Sequence, residues 1–200
     1  QIQRIGAPAI APDGRTVVAA VTRYDLKDNK GLTDLWLWSV DGKVGRALTT
    51  NPAGDSSPVF SPDGQVLAFV SQRNGDTAPQ LYLMPLAGGE PARVTNVPTG
   101  VAQPKWFPDG KRIAFLSRVW ADLDTMEKQA ARQKERADDR STAQAWDGGP
   151  IYYWDTWLDD RQLHVFSVGV DGAEPVNLTV GTGLQLPRSA VQLESPLYDI

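Results

Sequence analysis

The residues of this chain best suited to chemistry are acidic, and they lie in a charged stretch past its midpoint. Asp122, Asp124 and Glu127 fall close together, and Trp154 and Asp155 follow in the most aromatic part of the sequence. A carboxylate at the edge of a cavity can hold the ammonium group of a peptide through charge-assisted hydrogen bonds. These five residues are therefore the candidates for ligand binding, the carboxylates by holding a cationic group and Trp154 as part of an aromatic wall.

Both groups also have a simpler interpretation. Acidic residues in the first turn of a helix interact favourably with its dipole, which would account for Asp122, Asp124 and Glu127 without any ligand. The aromatic residues around Trp154 would either anchor the segment onto the protein body or form a ligand-facing wall. The sequence leaves both alternatives open.

Most of the residue types and motifs that enzymatic catalysis requires are absent from this sequence. The 200 residues contain no Cys and one His, and that residue, His164, lies in an alternating pattern typical of a packed strand. Neither a Gly-x-Ser-x-Gly nucleophile elbow nor a glycine-rich phosphate loop is present. Ser56 and Ser57 stand in a string that resembles a serine-protease active site only superficially, since it leads into a predicted strand. We predict no catalytic residue, no metal and no cofactor within this sequence.

The overall charge argues against two classes of partner. Lys and Arg number 20 against 24 Asp and Glu, which gives a net charge of −4. A weakly acidic chain has no general field that attracts nucleic acid or an anionic membrane surface. No apolar run approaches the roughly 20 residues that a membrane-spanning helix needs. We therefore expect neither nucleic acid nor membrane as a partner.

A Pro-Asp-Gly turn occurs three times, at residues 12–14, 62–64 and 108–110, with spacings of 50 and 46 residues. Pro presets its own φ, Asp accepts hydrogen bonds from nearby backbone amides, and Gly adopts the left-handed conformation that closes the turn. A large apolar residue precedes each turn, and an apolar run, an alternating segment and a closing Thr follow it. The large residues are Ile10, Phe60 and Trp106, and the closing residues are Thr49, Thr95 and Thr179.

Each repeat therefore predicts four short antiparallel strands. The strand after the turn is apolar on both faces, so both faces must be covered. Four-stranded sheets packed face to face around an axis provide that environment, with a period in the forties. A β-sandwich does not account for the same turn at near-constant spacing. We predict an all-β fold, a β-propeller of four-stranded blades.

The repeats also predict how the chain is organised. We place them at residues 7–50, 56–96 and 102–180, with a helical insertion at 120–161 and the start of a further blade at 190–200. A propeller closes with at least about four blades. Three blades and the start of a fourth make an incomplete propeller, so we expect the chain to be part of a longer protein.

The insertion begins with a predicted helix at residues 121–145, which lack Gly and Pro and are rich in strong helix formers. Asp122 is the predicted N-cap. The predicted apolar stripe is thin and consists of Leu123, Met126, Ala130 and Ala137. We therefore expect this helix to dock weakly and to project from the body.

The repeated string Pro-x-[Phe/Trp]-x-Pro-Asp-Gly, followed by Leu-Tyr and Gly-Gly-x-x-x-x-[Leu/Val]-Thr, resembles the propeller repeats of the Tol-associated and prolyl oligopeptidase families. A charged helical insertion after residues 106–115, followed by Tyr-Trp-Asp-Thr-Trp at 153–157, is similar to the propeller half of bacterial dipeptidyl and acylaminoacyl peptidases of the second family. The likeness extends over essentially all 200 residues. It favours a propeller part of a prolyl oligopeptidase-family serine peptidase.

That resemblance implies a C-terminal α/β-hydrolase domain of the same chain, which carries a Ser-Asp-His triad, and an oligopeptide substrate whose N-terminus the propeller orients. No member of the triad lies in these 200 residues, and the paired Glu-Glu motif of some dipeptidyl peptidases is absent. The alternative is a non-catalytic Tol-associated propeller that binds proteins as a scaffold. We expect a periplasmic or secreted location, with a cytoplasmic one as the alternative. The sequence does not decide between dipeptidyl and acylaminoacyl activity. It also leaves open the total number of blades and whether the protein forms a homo-oligomer.

Overall fold

The computed structural model describes residues 3–25, 27, 29–139, 151–153, 156–157 and 160–182. Within them the chain forms three four-stranded antiparallel sheets, one α-helix and one two-stranded ribbon. The strands of each sheet neighbour one another in chain order, which is the arrangement of a propeller blade. The predicted all-β fold of β-propeller blades with one helical insertion is confirmed. The predicted start of a further blade at 190–200 lies outside the described residues.

The three sheets are called blades 1 to 3. Blade 1 comprises β1 (Gln3–Ile10), β2 (Thr16–Asp25), β3 (Lys30–Ser39) and β4 (Gly45–Ala47). Blade 2 comprises β5 (Asp55–Phe60), β6 (Val66–Ser71), β7 (Gln80–Pro85) and β8 (Ala92–Arg93). Blade 3 begins with β9 (Ala102–Trp106) and β10 (Arg112–Val119). The insertion contributes α1 (Met126–Asp138), β11 (Ile151–Tyr153) and β12 (Thr156–Trp157), and then β13 (Gln162–Gly169) and β14 (Val176–Asn177) complete blade 3.

The three Pro-Asp-Gly turns have one geometry. Their glycines have φ between +67° and +70°, the left-handed region that favours Gly. In each turn the Asp Oδ1 accepts a hydrogen bond from the backbone amide two residues further on, at 2.9–3.0 Å. The predicted roles of Asp and Gly in these turns are confirmed.

The closing threonines tie the outer strand of each blade to its third strand. The Oγ1 atoms of Thr49 and Thr95 accept hydrogen bonds from the backbone amides of Leu35 and Leu81, both at 2.9 Å. Thr179 accepts the equivalent bond from Val165 at 3.2 Å. The sequence repeat is therefore also a repeat of hydrogen bonds.

Neighbouring blades pack face to face through two apolar cores. Between blades 1 and 2, Val18 and Leu35 meet Leu67, Phe69 and Tyr82, which are all fully buried. Between blades 2 and 3, a second cluster joins Ala68, Val70 and Leu81 to Ile113, Phe115, Phe166 and Val168. Phe69 stacks on Tyr82 in one core, and Phe115 stacks on Phe166 in the other. Each second strand is covered on both faces only where blades lie on both sides of it.

The large apolar residue before each turn differs in burial from blade to blade. Phe60 is 7% exposed, and Trp106 is half-buried and donates from Nε1 to the carbonyl of Val59 in blade 2 at 3.3 Å. Ile10 is 66% exposed. It lies on the face of blade 1 that in blades 2 and 3 contacts the preceding blade, and no blade precedes blade 1 among the described residues.

Blade 2 carries a buried polar network at the end opposite its Pro-Asp-Gly turn. Arg73 pairs with Asp55, and both side chains are almost completely buried. The Arg73 guanidinium also lies over the rings of Phe69 and Tyr82, at 5.1 and 5.2 Å from their centroids. The Tyr82 hydroxyl donates to Asp76 at 2.6 Å. This network replaces apolar packing at one end of the interface between blades 1 and 2.

The insertion helix differs from its prediction at both ends and along its buried face. Its N-cap is Thr125, whose Oγ1 accepts from the Lys128 amide at 3.3 Å, so the predicted Asp122 N-cap is wrong. It ends at Asp138 because Asp139 has extended backbone. Ala130 and Ala137 are exposed, and the buried residue of α1 is Gln129. Among the described residues, no helix is long and apolar enough to cross a bilayer.

Candidate functional site

The insertion leaves blade 3 at Trp120, where a side-chain amide holds the backbone. Gln129 Oε1 accepts from the Trp120 amide at 3.0 Å, and Gln129 Nε2 donates to the Trp120 carbonyl at 2.8 Å. The same Nε2 also donates to the Leu123 carbonyl at 3.0 Å. Strand pairing between β10 and β13 stops at Val119. The side chain of Gln129 therefore makes the hydrogen bonds to the Trp120 backbone that a neighbouring strand would otherwise make. The chain is thereby held in a turn until α1 begins.

The indole of Trp120 fixes the same junction from the other side. The ring is 2% exposed, and its Nε1 donates to Asp160 Oδ2 at 2.9 Å. The guanidinium groups of Arg132, Arg136 and Arg161 lie 5.6–5.7 Å from the ring centroid, within the range of cation–π attraction. Trp120 therefore joins α1 to the start of β13, where the chain re-enters blade 3.

A cleft of about 420 Å³ lies between the start of the insertion and the outer edge of blade 3. Its apolar lining residues are Val119, Trp120, Ala121, Leu123, Met126, Phe166, Pro175 and Val180. Its polar lining residues are Asp124, Thr125, Glu127, Gln129, His164, Glu174 and Asn177. Acidic and apolar groups thus share one concave surface, which offers contacts to both a cationic and an apolar part of a ligand.

The three predicted carboxylates of the helix start are not equivalent. Asp122 accepts two hydrogen bonds from Arg132 Nη1, at 3.0 and 2.9 Å, and does not line the cleft. Asp124 lines the cleft but pairs with Lys128 Nζ at 2.7 Å. That hydrogen bond from the ammonium group holds the pKa of Asp124 below its ordinary value. Both charges are therefore already compensated.

Glu127 is the remaining member of the predicted helix group. It lines the cleft and is exposed, and within the part of the chain that the structure describes it has no hydrogen bond or ion pair. Glu174 lines the same cleft from the connection into β14 and is also exposed. These two carboxylates are the ones available to a cationic ligand. Trp154 and Asp155, the other predicted residues, lie outside the described residues.

His164 lines the cleft, but its ring is held by the blade. It is 8% exposed, and its Nδ1 lies 3.1 Å from Thr179 Oγ1 and 3.2 Å from the side-chain amide of Asn177. The corresponding position of blade 2 is Gln80, which likewise contacts the closing residue, Thr95, at 2.9 Å. His164 thus occupies a repeated structural position, as its place in a predicted strand indicated.

A second cavity of about 480 Å³ lies between the Pro-Asp-Gly turns of blades 2 and 3. Its carboxylates serve the turns themselves. Asp63 accepts from the Ser61 hydroxyl and the Gln65 amide, and these hydrogen bonds lower its pKa. Among the residues with a described position, no group of three or more acidic or His side chains could hold a metal ion. The cleft beside the insertion is therefore the stronger candidate.

Sequence analysis identified Asp124 and Glu127 but missed Gln129 and Glu174. Met126 and Gln129 are three residues apart and lie on one face of α1, yet the polar type of Gln129 excluded it from a search for apolar residues. Glu174 carries no local signal, because its place beside α1 depends on the return of the chain into blade 3.

The blades, their turns and their order define a β-propeller. The TolB beta propeller domain family matches residues 3–185, and the chain belongs to that family. Dipeptidyl-peptidase 5 of Porphyromonas gingivalis is 32% identical over 74 residues, which are 37% of this chain and 11% of the relative. A Protein TolB homolog of Chlorobium luteolum is 41% identical over 61 residues, which are 30% of this chain and 14% of the relative.

The fold is also that of a solved peptidase structure. Pyrococcus horikoshii acylaminoacyl peptidase matches with a TM-score of 0.61 at 16% identity, over 88% of this chain and 25% of that one. These matches confirm the resemblance to the propeller part of prolyl oligopeptidase-family peptidases that the sequence predicted. The matched segments amount to only about a tenth to a quarter of the relatives' own length.

Proposed function

We propose that this chain is the substrate-orienting propeller part of a serine exopeptidase that acts on short oligopeptides. In this proposal the cleft beside the insertion receives the free N-terminus of the peptide, and Glu127 binds its ammonium group. The observation that carries the proposal is the exposed Glu127 carboxylate, which has no partner among the described residues and lines a cleft of about 420 Å³.

The cleft suits the end of a peptide rather than a bare cation. The ammonium group would meet Glu127 and Glu174, while Met126, Phe166 and Val180 offer apolar surface to the first side chain. A charge-assisted hydrogen bond contributes about 1.5–3 kcal/mol, so one such contact can select a free amine over an acylated one by tenfold or more. Asp122 and Asp124 would then act mainly through α1, since Arg132 and Lys128 already pair with them. Trp154 and Asp155 stay in the predicted set as further contacts.

The chemical step would take place on an α/β-hydrolase domain of the same protein. There a serine nucleophile, a histidine base and an oxyanion hole would carry out acyl transfer to water. The propeller would contribute by restricting entry and by fixing which end of the peptide reaches the nucleophile. A relative named as a dipeptidyl peptidase supports release of dipeptides, which starts from the free N-terminus that Glu127 would bind. Release of acylated amino acids is the open alternative, and it would not use this contact because an acylated N-terminus carries no ammonium group. A periplasmic location belongs to the same proposal.

The test compares two matched variants of the full-length protein. Glu127→Gln removes the charge at the cleft, and Glu135→Gln removes the same charge from an exposed position on the same helix. We expect Glu127→Gln to raise KM for free-amine peptides about tenfold while N-acylated peptides are unaffected. Glu135→Gln should behave like the wild type. Equal effects of Glu127→Gln on both kinds of peptide would overturn the amine-binding role.

The second candidate function is a non-catalytic propeller that binds other proteins as a scaffold. The family description and the 41% identity to a TolB homolog favour it. A scaffold needs no reactive serine, whereas a peptidase does. The insertion with its acidic cleft supports the peptidase, because a propeller can pack four-stranded blades against one another without any such insertion.

A further inference from the structure

We propose that Gln129 is a positioning residue, which sets the orientation of the first turn of α1 and thereby places the Glu127 carboxylate in the cleft. This inference rests on the proposed amine-binding role of Glu127.

The first argument is that apolar packing contributes little to the orientation of α1, whose other contacts with the body are partly exposed ion pairs and arginine–indole contacts. Gln129 is the buried residue of the helix, with 3% exposure, and the residues around the rest of the helix are exposed or half-buried. Met126 packs at the margin of the core between blades 2 and 3, but it is only partly buried. A mostly polar helix gains little docking energy from apolar contact. Its rotation about its own axis must therefore be set by directional bonds.

The second argument is that Gln129 makes three such bonds to fixed backbone. Its amide receives the Trp120 N–H and donates to the carbonyls of Trp120 and Leu123, at 2.8–3.0 Å. Trp120 follows directly on β10 and is itself anchored by its indole. The amide group thus connects the helix to the sheet, and it satisfies buried backbone groups that have no strand partner.

The third argument is geometric. Successive residues of an α-helix are rotated by about 100°, so Glu127 and Gln129 have a fixed angular relation about the helix axis. If the bonds of Gln129 are lost, the helix can rotate or its first turn can fray, and Glu127 moves with it. Thr125, the N-cap, lies in the same short connection and would be displaced as well.

The test is a double-mutant cycle in the full-length protein. Gln129→Met keeps the length of the side chain and removes all three bonds, while Gln133→Met makes the same change one turn later, where the side chain is half-buried. We expect Gln129→Met to lower the ratio of kcat/KM for free-amine over N-acylated peptide about tenfold, through KM, with kcat nearly unchanged. Gln133→Met should leave that ratio unchanged.

The second arm of the cycle identifies the route of the effect. In the Glu127→Gln background, Gln129→Met should cause no further loss of the ratio, because the carboxylate it positions is already gone. Equal losses for both kinds of peptide, or a full further loss in that background, would overturn the positioning role. If Glu127→Gln alone leaves the ratio unchanged, the proposed amine-binding function fails. If Glu127→Gln lowers the ratio and Gln129→Met does not, only the present inference fails.

A milder variant covers the case in which Gln129→Met does not fold. Gln129→Asn retains the amide on a shorter side chain and should give an intermediate ratio. Hydrogen exchange of the Trp120 amide gives a readout apart from activity. We expect exchange to be faster in Gln129→Asn than in the wild type, and unchanged exchange together with an unchanged ratio would overturn the inference.

Discussion

Gly64 in the turn of blade 2 lies directly against the ring of Pro12 in the turn of blade 1. A Cβ atom at position 64 would lie 3.3 Å from Pro12 Cδ, and Gly64 has φ of +70°. Gly110 has the same relation to Pro62, at a more relaxed 3.8 Å. The proline of one turn therefore packs on the glycine of the next, so these turns contribute to blade–blade contact as well as to their own hairpins.

This contact predicts different costs for the same substitution in two turns. Gly14 has φ of +69° but no heavy atom within 4 Å of a Cβ position, so Gly14→Ala should cost only the backbone strain, about 1 kcal/mol. Gly64→Ala adds the contact with Pro12 and should lower the free energy of unfolding further. Urea denaturation of the two variants measures the difference. Equal losses of unfolding free energy in the two variants would contradict a contact between the turns.

The buried pair of Arg73 and Asp55 predicts a large loss of stability when one partner is removed. Asp55→Asn leaves the Arg73 guanidinium buried without its counter-charge, which costs about 3–5 kcal/mol. Replacing both residues by apolar ones of similar size should cost much less than the sum of the single changes. Lys134→Gln, in an exposed pair on α1, is the control and should stay within about 0.5 kcal/mol. Additive losses in the double variant would contradict the coupling.

The environment of Tyr82 predicts a loss of stability in alkaline solution. Burial, with the hydrogen bond to Asp76, raises the pKa of Tyr82 from 10.0 to about 12. The stabilisation is complete below the unfolded-state pKa near 10 and is lost as the pH rises towards about 12, because there the unfolded chain releases a proton that the folded protein retains. Denaturation at several pH values should show the free energy of unfolding falling in this range. Tyr82→Phe should have a smaller slope, and an identical slope would contradict this account.

The fold followed from the sequence where interactions are local. The Pro-Asp-Gly turns have the predicted φ at Gly14 and the predicted hydrogen bond to Asp13, because both depend on residues within the turn. The closing threonines repeat for the same reason. The burial of the large apolar residue before each turn could not be predicted from the local sequence. Ile10 and Phe60 hold the same place in their repeats, but within the part of the chain that the structure describes only Phe60 has a preceding blade to cover it.

The site was less predictable because it depends on where the insertion returns. Asp122 was the predicted N-cap, but the helix begins later, after Thr125, because Gln129 holds the chain from Trp120 to Leu123 in a turn. A local pattern does distinguish the paired Asp124 from the unpaired Glu127, since Asp124 has Lys128 four residues on and Glu127 has Ala131 at the same spacing. Their difference arises from the position of Lys128 and from the shape of the cleft.

The most direct test of the central claim is labelling of the native full-length protein with a serine-directed fluorophosphonate probe, followed by peptide mapping. We expect one labelled serine, in a Gly-x-Ser-x-Gly peptide outside residues 1–200, with label lost when an oligopeptide substrate competes. That result would make the propeller the gate of a serine peptidase. A folded full-length protein that takes up no label would contradict the peptidase account and support the scaffold propeller.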